Sequence, residues 1–323
     1  MAVKVGFIGT GGIAGYHFNH LEKMDDVRVV AVCDAIEERA RQAAERFGAR
    51  AYPDYRALLS EADLDALYIC TPPFAHGEME HLALERGLPL FVEKPVHLDL
   101  ADARSIAQEI EAQGLVSAVG YQDRYQDIID RLRAYLAGQQ VGLMMGYWMG
   151  GMPGVYWWRR RELSGGQAVE QTTHIFDMAR YLFGEVRTVF AGGTKGLMAD
   201  VPDYNIEDAS AVTLFFESGL VGTIFSACFM NVGGRGGMDI FCKNAYIAYQ
   251  ERTSVKITEP HCTIEMKNGN DFGFAEDRTF IDAVASGDGS AIRSTYPDAV
   301  KSLALSLAAN ESLDTGEPVA ITV

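Results

Sequence analysis

The sequence has few basic residues, and this shortage excludes one class of partner. It contains 28 Lys and Arg against 44 Asp and Glu, a formal net charge of −16 at pH 7. A nucleic-acid surface needs clustered Lys and Arg that displace counterions from phosphates. The one basic run, at residues 159–161, is too short to provide such a surface. We therefore expect no nucleic-acid partner.

Cysteine pairs and long apolar runs are also missing. The five cysteines are scattered, with no C-x-x-C pair and no histidine at a matching spacing. We therefore expect free thiols, no disulfide and no metal site. No uncharged apolar stretch reaches the length of a membrane-spanning helix, and Met1 leads directly into an apolar strand without room for a signal peptide. We expect a cytoplasmic protein with no membrane partner.

The first fifteen residues carry the clearest pattern in the chain. An apolar run with β-branched residues, Val3–Ile8, breaks into glycines before a segment, 16–23, that can be helical. In this G-x-G-x-x-A pattern, Gly9 permits a tight turn, Gly11 lets a pyrophosphate approach the backbone, and Ala14 lets the helix pack closely on the strand. Free N–H groups at the helix start provide an anion site.

A second strand supports a dinucleotide site. Val27–Cys33 ends in Asp34, twenty residues after Ala14, where the dinucleotide pattern has a carboxylate for the ribose hydroxyls. The alternative is a glycine-rich turn and an unrelated surface Asp. Residues 35–38 offer no Arg or Ser for a 2′-phosphate, which the carboxylate would repel. We predict NAD as cofactor, preferred over NADP, and the binding residues in these segments are Gly9, Gly11, Gly12, Ile13, Ala14 and Asp34.

Length and element order predict two domains. A chain of 323 residues is too long for most single cores. Up to about residue 122, helices alternate with strands, which are expected at 66–70, 88–92 and 116–120 after the first two. This order predicts an α/β fold with a parallel, doubly wound Rossmann sheet over residues 1–122. Ligands of such sheets bind beyond the carboxyl ends of the strands, where Asp34, Thr71 and Lys94 fall.

The periodicity changes in residues 123–323. One helix, 126–136, precedes apolar strands at 144–149, 187–192, 209–216, 220–229, 239–242, 245–250 and 254–258, and helices at 275–286 and 297–313 follow. Short turns predict antiparallel hairpins, hence an α+β domain with a large, mostly antiparallel open sheet. The sheet has more apolar surface than two helices can cover. We expect a homodimer or homotetramer formed through this C-terminal sheet.

Two further stretches carry groups suited to proton transfer. Glu93-Lys94-Pro95 follows a strand of the first domain, where the alternative is an ordinary surface lysine. Residues 164–177 are predicted to begin a helix that runs on to Phe183, with Glu170, His174 and Asp177 in one polar stripe that faces a cleft. A lone histidine is often structural, but acids at i−4 and i+3 hold and orient this one.

Taken together, these motifs resemble the Gfo/Idh/MocA family of NAD(P)-dependent oxidoreductases. The resemblance covers the whole chain: the glycine pattern, residues 71–76, residues 93–95, residues 165–177, and the closing stretch 296–316. It implies a Rossmann domain joined to an α+β domain whose open sheet mediates oligomers. It also implies that Lys94 and His174 flank the nicotinamide, and that the residue four before the histidine completes the catalytic group. Here that residue is Glu170, where many members have Asp.

The chemistry explains these residue types. Oxidising a secondary alcohol removes a hydride from carbon and a proton from the hydroxyl, and histidine titrates near working pH. A lysine ammonium stabilises a developing alkoxide. We assign His174 as acid/base, Lys94 as oxygen-binding and Glu170 as orienter. The matching motifs add Thr71, Pro72, His76, Glu93 and Lys94 to the cofactor site. Candidate substrate contacts are Arg124, Tyr125, Trp158 and Asp177, although Trp158 can equally be ordinary packing and Asp177 a structural pair.

Three functions compete on these residues. The leading one is a dehydrogenase that transfers a hydride between NAD and a secondary alcohol of a sugar, inositol or related polyol. A second uses the same groups for transient oxidation and cleavage of a glycosidic bond by elimination, with no net redox change. The third is a non-catalytic NAD-dependent sensor, which would not need both Lys94 and His174. Net NADH formation separates the first from the second.

Overall fold

The computed structural model describes residues 2–322, which form two compact units. The first comprises the chain up to Tyr125 together with Asp271–Val300, and the second comprises Gln126–Asn270 and the chain from Lys301 onward. The sequence predicts a boundary after residue 122, and the first segment of the first unit ends at Tyr125. The segment 271–300, which the sequence analysis assigned to the second domain, packs within the first unit instead. Its helix returns to cover the first sheet, a contact that element order does not reveal.

The first unit is built on a parallel sheet with the strand order β3-β2-β1-β4-β5-β6. This order is typical of dinucleotide-binding folds, so the predicted doubly wound α/β class is confirmed. The short strand β3 was not predicted, because three residues at a sheet edge carry little pattern. The strands are β1 (Val3–Ile8), β2 (Val27–Cys33), β3 (Arg50–Tyr52), β4 (Ala66–Ile69), β5 (Leu90–Val92) and β6 (Ser117–Val119).

Helices connect these strands. They are α1 (Gly12–Leu21), α2 (Glu37–Phe47), α3 (Tyr55–Glu61), α4 (Glu78–Glu85) and α5 (Leu100–Gln113), and α10 (Phe272–Ser286) joins them from later in the chain. Helix α1 starts four residues before the predicted segment, directly at the glycines. Short 3₁₀ turns lie at Pro73–Ala75 and Gln122–Tyr125.

Aromatic rings hold helix α10 against the first sheet. Phe7, Tyr68 and Phe91 come from three neighbouring strands and stack at centroid distances of 4.5 and 4.7 Å. Phe280 of α10 packs edge-on against both Tyr68 and Phe91. The Tyr68 hydroxyl also donates a hydrogen bond to Asp277, on the same helix, over 3.2 Å. Segment 271–300 thus belongs to the core of the first unit.

The second unit contains a mixed sheet with the order β14-β13-β12-β11-β7-β10-β9-β8-β15. Every pairing is antiparallel except β7 with β10, which is parallel. The predicted mostly antiparallel sheet is therefore confirmed, and the edge strands β14 and β15 are additions. The strands are β7 (Val141–Met149), β8 (Val186–Thr194), β9 (Ala209–Phe216), β10 (Val221–Ala227), β11 (Arg235–Cys242), β12 (Tyr246–Gln250), β13 (Ser254–Thr258), β14 (Thr263–Lys267) and β15 (Val319–Ala320).

Helices cover one face of this sheet. Alternate residues of the strands, such as Ile224 and Ile240, share one buried cluster with apolar residues of three long helices. The helices are α6 (Asp127–Leu136), α9 (Thr173–Phe183) and α11 (Tyr296–Thr315), preceded by the short helices α7 (Arg161–Ser164) and α8 (Gln167–Glu170), and a 3₁₀ turn lies at Tyr156–Arg159. No helix within residues 2–322 is long and apolar enough to cross a membrane.

Candidate functional site

The glycine loop of the first unit has the conformation that the sequence pattern requires. Gly9 has φ of 86°, and a Cβ there would lie 2.5 Å from the Cys70 carbonyl oxygen, so only glycine fits. Around Gly12 a Cβ would meet nothing within 4 Å, and at Gly11 it would meet only Arg39, at 3.9 Å. Ala14 is fully buried in the core beneath. The loop thus leaves open space at the start of α1, where a pyrophosphate can approach.

Asp34 stands at the end of β2 and is bonded to the glycine loop. Its Oδ2 accepts hydrogen bonds from the Thr10 amide at 2.8 Å and from the Thr10 hydroxyl at 3.1 Å, while Oδ1 accepts from the Ile36 amide at 2.8 Å. A carboxylate offers about four acceptor positions, so one remains on Oδ1 for a ribose hydroxyl. Ile13 is partly exposed beside the loop. These residues fit a bound dinucleotide, which would supply the hydride acceptor.

The segment after β4 is held in place by His76. The His76 ring is almost fully buried, with Nδ1 2.5 Å from a Glu80 oxygen and Nε2 3.3 Å from the Thr71 carbonyl oxygen. Glu80 also accepts from the Gly77 amide at 2.7 Å. Thr71 and Pro72 themselves are half-buried at the strand end. His76 therefore contacts protein groups that shape this loop. Of the cofactor-binding residues predicted in this segment, Thr71 and Pro72 are the more exposed to solvent.

Glu93 and Lys94 follow β5 at the same edge of the sheet. Glu93 is buried, and its side chain faces inward: one oxygen lies 3.0 Å from His17 Nε2, and the other accepts from the Lys94 amide at 3.2 Å. Lys94 is only partly buried. The structure thus places the two neighbours in different surroundings, with Glu93 turned into the protein.

Arg124 and Tyr125 are buried at the end of the first unit. Arg124 forms an ion pair with Asp298 at 2.7 Å. The Tyr125 hydroxyl accepts a hydrogen bond from the Arg293 amide at 3.0 Å, and burial, with the Glu276 charge nearby, raises the Tyr125 pKa. Both side chains thus join residues 122–125 to segment 271–300. If either also contacts the substrate, as predicted, it does so in addition to this structural role.

In the second unit, the helix predicted to carry the polar stripe is broken. Helix α8 ends at Glu170 and α9 begins at Thr173, so Glu170 and His174 do not lie on one continuous helix as predicted. The Thr172 hydroxyl is 2.8 Å from the Ser226 hydroxyl, a buried contact that ties this break to β10. Gly165 and Gly166, at φ of 78° and 86°, separate α7 from α8. Local backbone geometry here outweighs the helical periodicity.

Glu170 is oriented by an aromatic residue. Trp158 is completely buried, and its indole N–H donates to Glu170 Oε2 over 2.6 Å. Trp158 also packs with Ile206 and Cys228 in a small separate cluster. The ordinary-packing alternative for Trp158 is therefore the one that its surroundings favour, since a ring with no exposed surface cannot stack on a sugar. Its role is to hold the Glu170 carboxylate.

His174 lies near the start of α9, against the end of β7. Its ring is mostly buried and is stacked on Trp148, with centroids 5.5 Å apart and planes inclined by 20°. Trp148 is partly exposed, one position before the end of β7. An aromatic ring fixes the plane of the imidazole. His174 is thus held in one orientation, as an acid/base group requires.

Asp177 is buried one turn further along α9. It accepts a hydrogen bond from the Ser302 hydroxyl on α11 at 2.6 Å, and Arg180 donates to the same hydroxyl at 2.7 Å. The Arg180 guanidinium lies 3.9 Å from Asp177 Oδ1. This part of the predicted stripe faces α11 rather than a cleft, because a helix distant in sequence packs over it. The structural pairing of Asp177 is the alternative that these contacts favour.

Three side chains next to the predicted site residues were not predicted from the sequence. Arg39 lies next to Gly11, Trp148 stacks on His174, and His17 bonds to Glu93. A signal existed for His17, since it lies on the same face of α1 as the apolar residues Ala14 and Leu21. Arg39 stands five residues beyond Asp34, just outside residues 35–38. Trp148 had no signal beyond being aromatic.

The strand order, the glycine loop and the carboxylate at the end of β2 define a protein that binds a nicotinamide dinucleotide through a Rossmann domain. Family models agree in both halves of the chain. Residues 3–121 match "Oxidoreductase family, NAD-binding Rossmann fold", and residues 135–248 match "GFO/IDH/MocA C-terminal domain". The chain belongs to the Gfo/Idh/MocA oxidoreductase family, whose cofactor domain binds NAD, so the predicted family and cofactor are confirmed.

Individual relatives are similar over much of their length. Myo-inositol 2-dehydrogenase of Thermotoga maritima is 28% identical over 97% of this chain and 96% of its own. D-apiose dehydrogenase of Paraburkholderia graminis is 31% identical over 68% of this chain and 59% of its own. Among solved structures, levoglucosan dehydrogenase in complex with NADH and levoglucosan superposes with a TM-score of 0.90 at 18% identity, covering 100% of both chains. That last similarity concerns the fold.

Proposed function

We propose that this protein is an NAD-dependent dehydrogenase that oxidises a secondary alcohol of a sugar, inositol or related polyol. The observation that carries the proposal is the presence of both Lys94 and His174 in a chain whose two halves match one oxidoreductase family. Relatives named as dehydrogenases of myo-inositol and D-apiose support the substrate class. The second unit would then bind the substrate.

The proposed chemistry divides between two residues. The His174 imidazole accepts the hydroxyl proton in oxidation and returns it in reduction, with its plane held by Trp148. The Lys94 ammonium binds the same oxygen and stabilises the negative charge that develops on it. Glu170 is the orienting group of this proposal, and the Trp158 indole N–H holds its carboxyl group. NAD, held by residues 9–14 and Asp34, supplies the hydride acceptor when it is bound.

Turnover of two variants beside the parent tests these roles. Purified protein is screened with NAD against monosaccharides, inositols and anhydrosugars, and net NADH formation identifies a dehydrogenase. His174→Ala should leave NADH affinity unchanged and slow turnover by about a hundredfold to ten-thousandfold, because general-base catalysis contributes about that much. Lys94→Ala should also slow turnover, and the two losses should not add, since both groups act on one oxygen and its proton.

Three results would contradict the proposal. Near-parental turnover of His174→Ala would remove it as the base. Product formation from a glycoside without net NADH would instead favour elimination. Binding of NADH with no turnover of any candidate polyol would favour the sensor.

We also propose a cytoplasmic homodimer or homotetramer. All five cysteines are free, as expected in a reducing compartment. The face of the second sheet opposite the helices carries apolar side chains, which we call the outer row: Leu143, Phe190, Val221, Phe241 and Tyr246, with exposed fractions between 36% and 44%. Each alternates with core residues of its own strand. A second copy of the chain is the natural cover for such a face.

A further inference from the structure

A buried chain of hydrogen bonds lies behind the end of β5, and it joins three elements of the first unit. Asp277 of α10 accepts at Oδ1 from His17 Nδ1 over 2.8 Å, and the other ring nitrogen, Nε2, lies 3.0 Å from a Glu93 oxygen. All three side chains are more than nine-tenths buried. His17 on α1 thus connects helix α10 to the residue directly before Lys94.

Both ring nitrogens of His17 face carboxylate oxygens, which determines its charge. A neutral imidazole has one N–H and can satisfy one carboxylate, whereas an imidazolium donates to both. Burial is the largest single effect on the His17 pKa and lowers it, but the charges and hydrogen bonds of Asp277 and Glu93 together raise the pKa well above 6.5. Burial likewise raises the Asp277 pKa, and bonding to His17 and His20 outweighs that effect and lowers it. The two contacts and the direction of the pKa shift together favour the imidazolium form of His17.

Neighbouring side chains also bond to the Asp277–His17–Glu93 hydrogen-bond network. His20 Nδ1 lies 2.7 Å from the second Asp277 oxygen, and the Tyr68 hydroxyl donates to the first. Glu276 on α10 and Tyr16 on α1 also lie near His17, and Cys70, after β4, lies near Glu93 and Asp277. On the far side, Glu93 lies over Gly120, where any Cβ would collide with its carboxylate. Gly120 thus leaves room for the Glu93 carboxylate, whose second oxygen accepts from the Lys94 amide.

The same histidines and Asp277 are close enough to suggest a metal site, but their spacing indicates hydrogen bonds. Each Nδ1 lies 2.7 or 2.8 Å from an Asp277 oxygen. Two ligands of one tetrahedral zinc ion are about 3.3 Å apart, given bonds of about 2.0 to 2.1 Å. With both nitrogens of His17 donating, it also has no lone pair for a metal.

We propose that Asp277 and His17 are positioning residues that fix Glu93 and, through it, the main chain from which Lys94 reaches the reacting oxygen. The inference rests on the proposed function, since it takes Lys94 as the oxygen-binding group. It adds to that function a set of residues that touch neither cofactor nor substrate. A small displacement of a group that contacts the reacting atom can cost about a hundredfold in rate. Residues that keep the Lys94 main chain in place would therefore affect the rate without touching the substrate.

Two substitutions of one residue separate positioning from general stability. The amide nitrogen of Gln lies near the place of histidine Nε2, so His17→Gln keeps a donor toward Glu93. The amide nitrogen of Asn lies near the place of Nδ1, so His17→Asn keeps a donor toward Asp277 and loses the one toward Glu93. We expect kcat/KM of His17→Asn to fall about tenfold or more below that of His17→Gln. NADH affinity, measured by fluorescence, should be the same in both.

A double-mutant cycle tests the route through Lys94. If His17 acts by placing Lys94, His17→Asn should cost less than about twofold in the Lys94→Ala background, because the positioned group is gone. The same tenfold loss in that background, or equal kcat/KM of the two His17 variants, would overturn the inference. Near-parental turnover of Lys94→Ala alone would instead contradict the proposed function, so the two failures are distinguishable.

The protonation of His17 can also be measured in the parent protein, so this test does not depend on whether a variant folds. Nitrogen NMR of the histidine rings reports protonation directly, and we expect His17 to keep two protected ring N–H protons at pH 8. A single ring proton at that pH would mean a neutral imidazole, which cannot donate to both carboxylates. That result would overturn the proposed hydrogen-bond network.

Discussion

At the scale of single residues, we expect the discrimination between NAD and NADP to depend on Asp34. Its carboxylate lies at the end of β2 and is bonded to Thr10 and Ile36. The dinucleotide pattern has a carboxylate here for the ribose hydroxyls, and its charge would repel a 2′-phosphate. Arg39, close to Gly11, is the group on which such a phosphate would rely. Two opposite charges would thus lie near the ribose of a bound dinucleotide, and the carboxylate is the one bonded to the loop.

We expect the parent to bind NADH more tightly than NADPH, and Asp34→Asn to reduce that difference. The variant keeps an acceptor oxygen for the loop but loses the negative charge. A hydrogen bond to a charged group is worth about 1.5 to 3 kcal/mol, so NADH affinity should fall about tenfold or more while NADPH affinity rises. Fluorescence titration of both cofactors measures this. Glu37→Gln, an exposed neighbour with the same change in charge, should alter neither affinity, and tighter NADPH binding by the parent would contradict the assignment.

Glu276 is a second residue whose environment predicts a measurable effect. Burial, followed by the charges of Glu93 and Asp277, raises the pKa of this carboxyl group well above 4.5. The folded protein therefore keeps a proton that the unfolded chain releases, and this group lowers stability as pH rises from its unfolded pKa toward its folded pKa. Gln carries no such proton.

We expect Glu276→Gln to melt a few degrees higher than the parent at pH 8, and the difference to shrink toward pH 4. Thermal unfolding monitored by circular dichroism at several pH values gives the comparison. Asp282→Asn, an exposed change on the same helix, serves as the control. A difference in melting temperature that is the same at every pH would show that Glu276 does not act through its proton.

At the scale of elements, the junction of β7 and α9 supports the proposed base. Gly146 of β7 lies where α9 crosses the sheet, and a Cβ there would be 2.6 Å from Ile175 Cγ2 and 3.0 Å from Ile224 Cγ1. Both neighbours are fully buried and β-branched, so neither can move aside easily. The glycine lets α9, which carries His174, approach the sheet closely.

Gly146→Ala should therefore destabilise the protein by about 1 to 3 kcal/mol, the usual cost of overpacking a core. Chemical denaturation measures the change. Gly192→Ala makes the same substitution in β8, where a Cβ meets nothing within 4 Å, and should have little effect. Equal stability of the two variants would mean that α9 can shift without cost.

At the scale of the whole molecule, the outer row predicts self-association. Phe241 and Tyr246 pair across β11 and β12, with ring centroids 5.4 Å apart, and both are more than one-third exposed. We expect light scattering at micromolar concentration to report a dimer or tetramer. Phe241→Lys should shift the protein toward the monomer, because burying a charge without a partner is costly. Val232→Lys, at a highly exposed loop position, should leave the assembly intact. A monomeric parent would contradict the prediction.

Much of the first unit could be predicted because its signals are local. A strand, a glycine turn and a helix follow one another within about twenty residues, and Gly9 adopts a positive φ that the pattern required. Alternating apolar strands likewise predicted the second sheet. The break between α8 and α9 could not be predicted, since residues 164–183 have a helical period and the break lies at residues 171–172, where Thr172 contacts Ser226 of β10.

The sequence by itself determined the fold class, the family and the place of Asp34, because each depends on residue types at short, regular spacings. Only the tertiary structure decided which buried partners surround the remaining groups. Trp158 holds Glu170, Ser302 holds Asp177, and His17 lies 76 positions from Glu93 and 260 from Asp277. Contacts over such separations arise when whole elements pack together, and they leave no period in the chain from which they can be predicted.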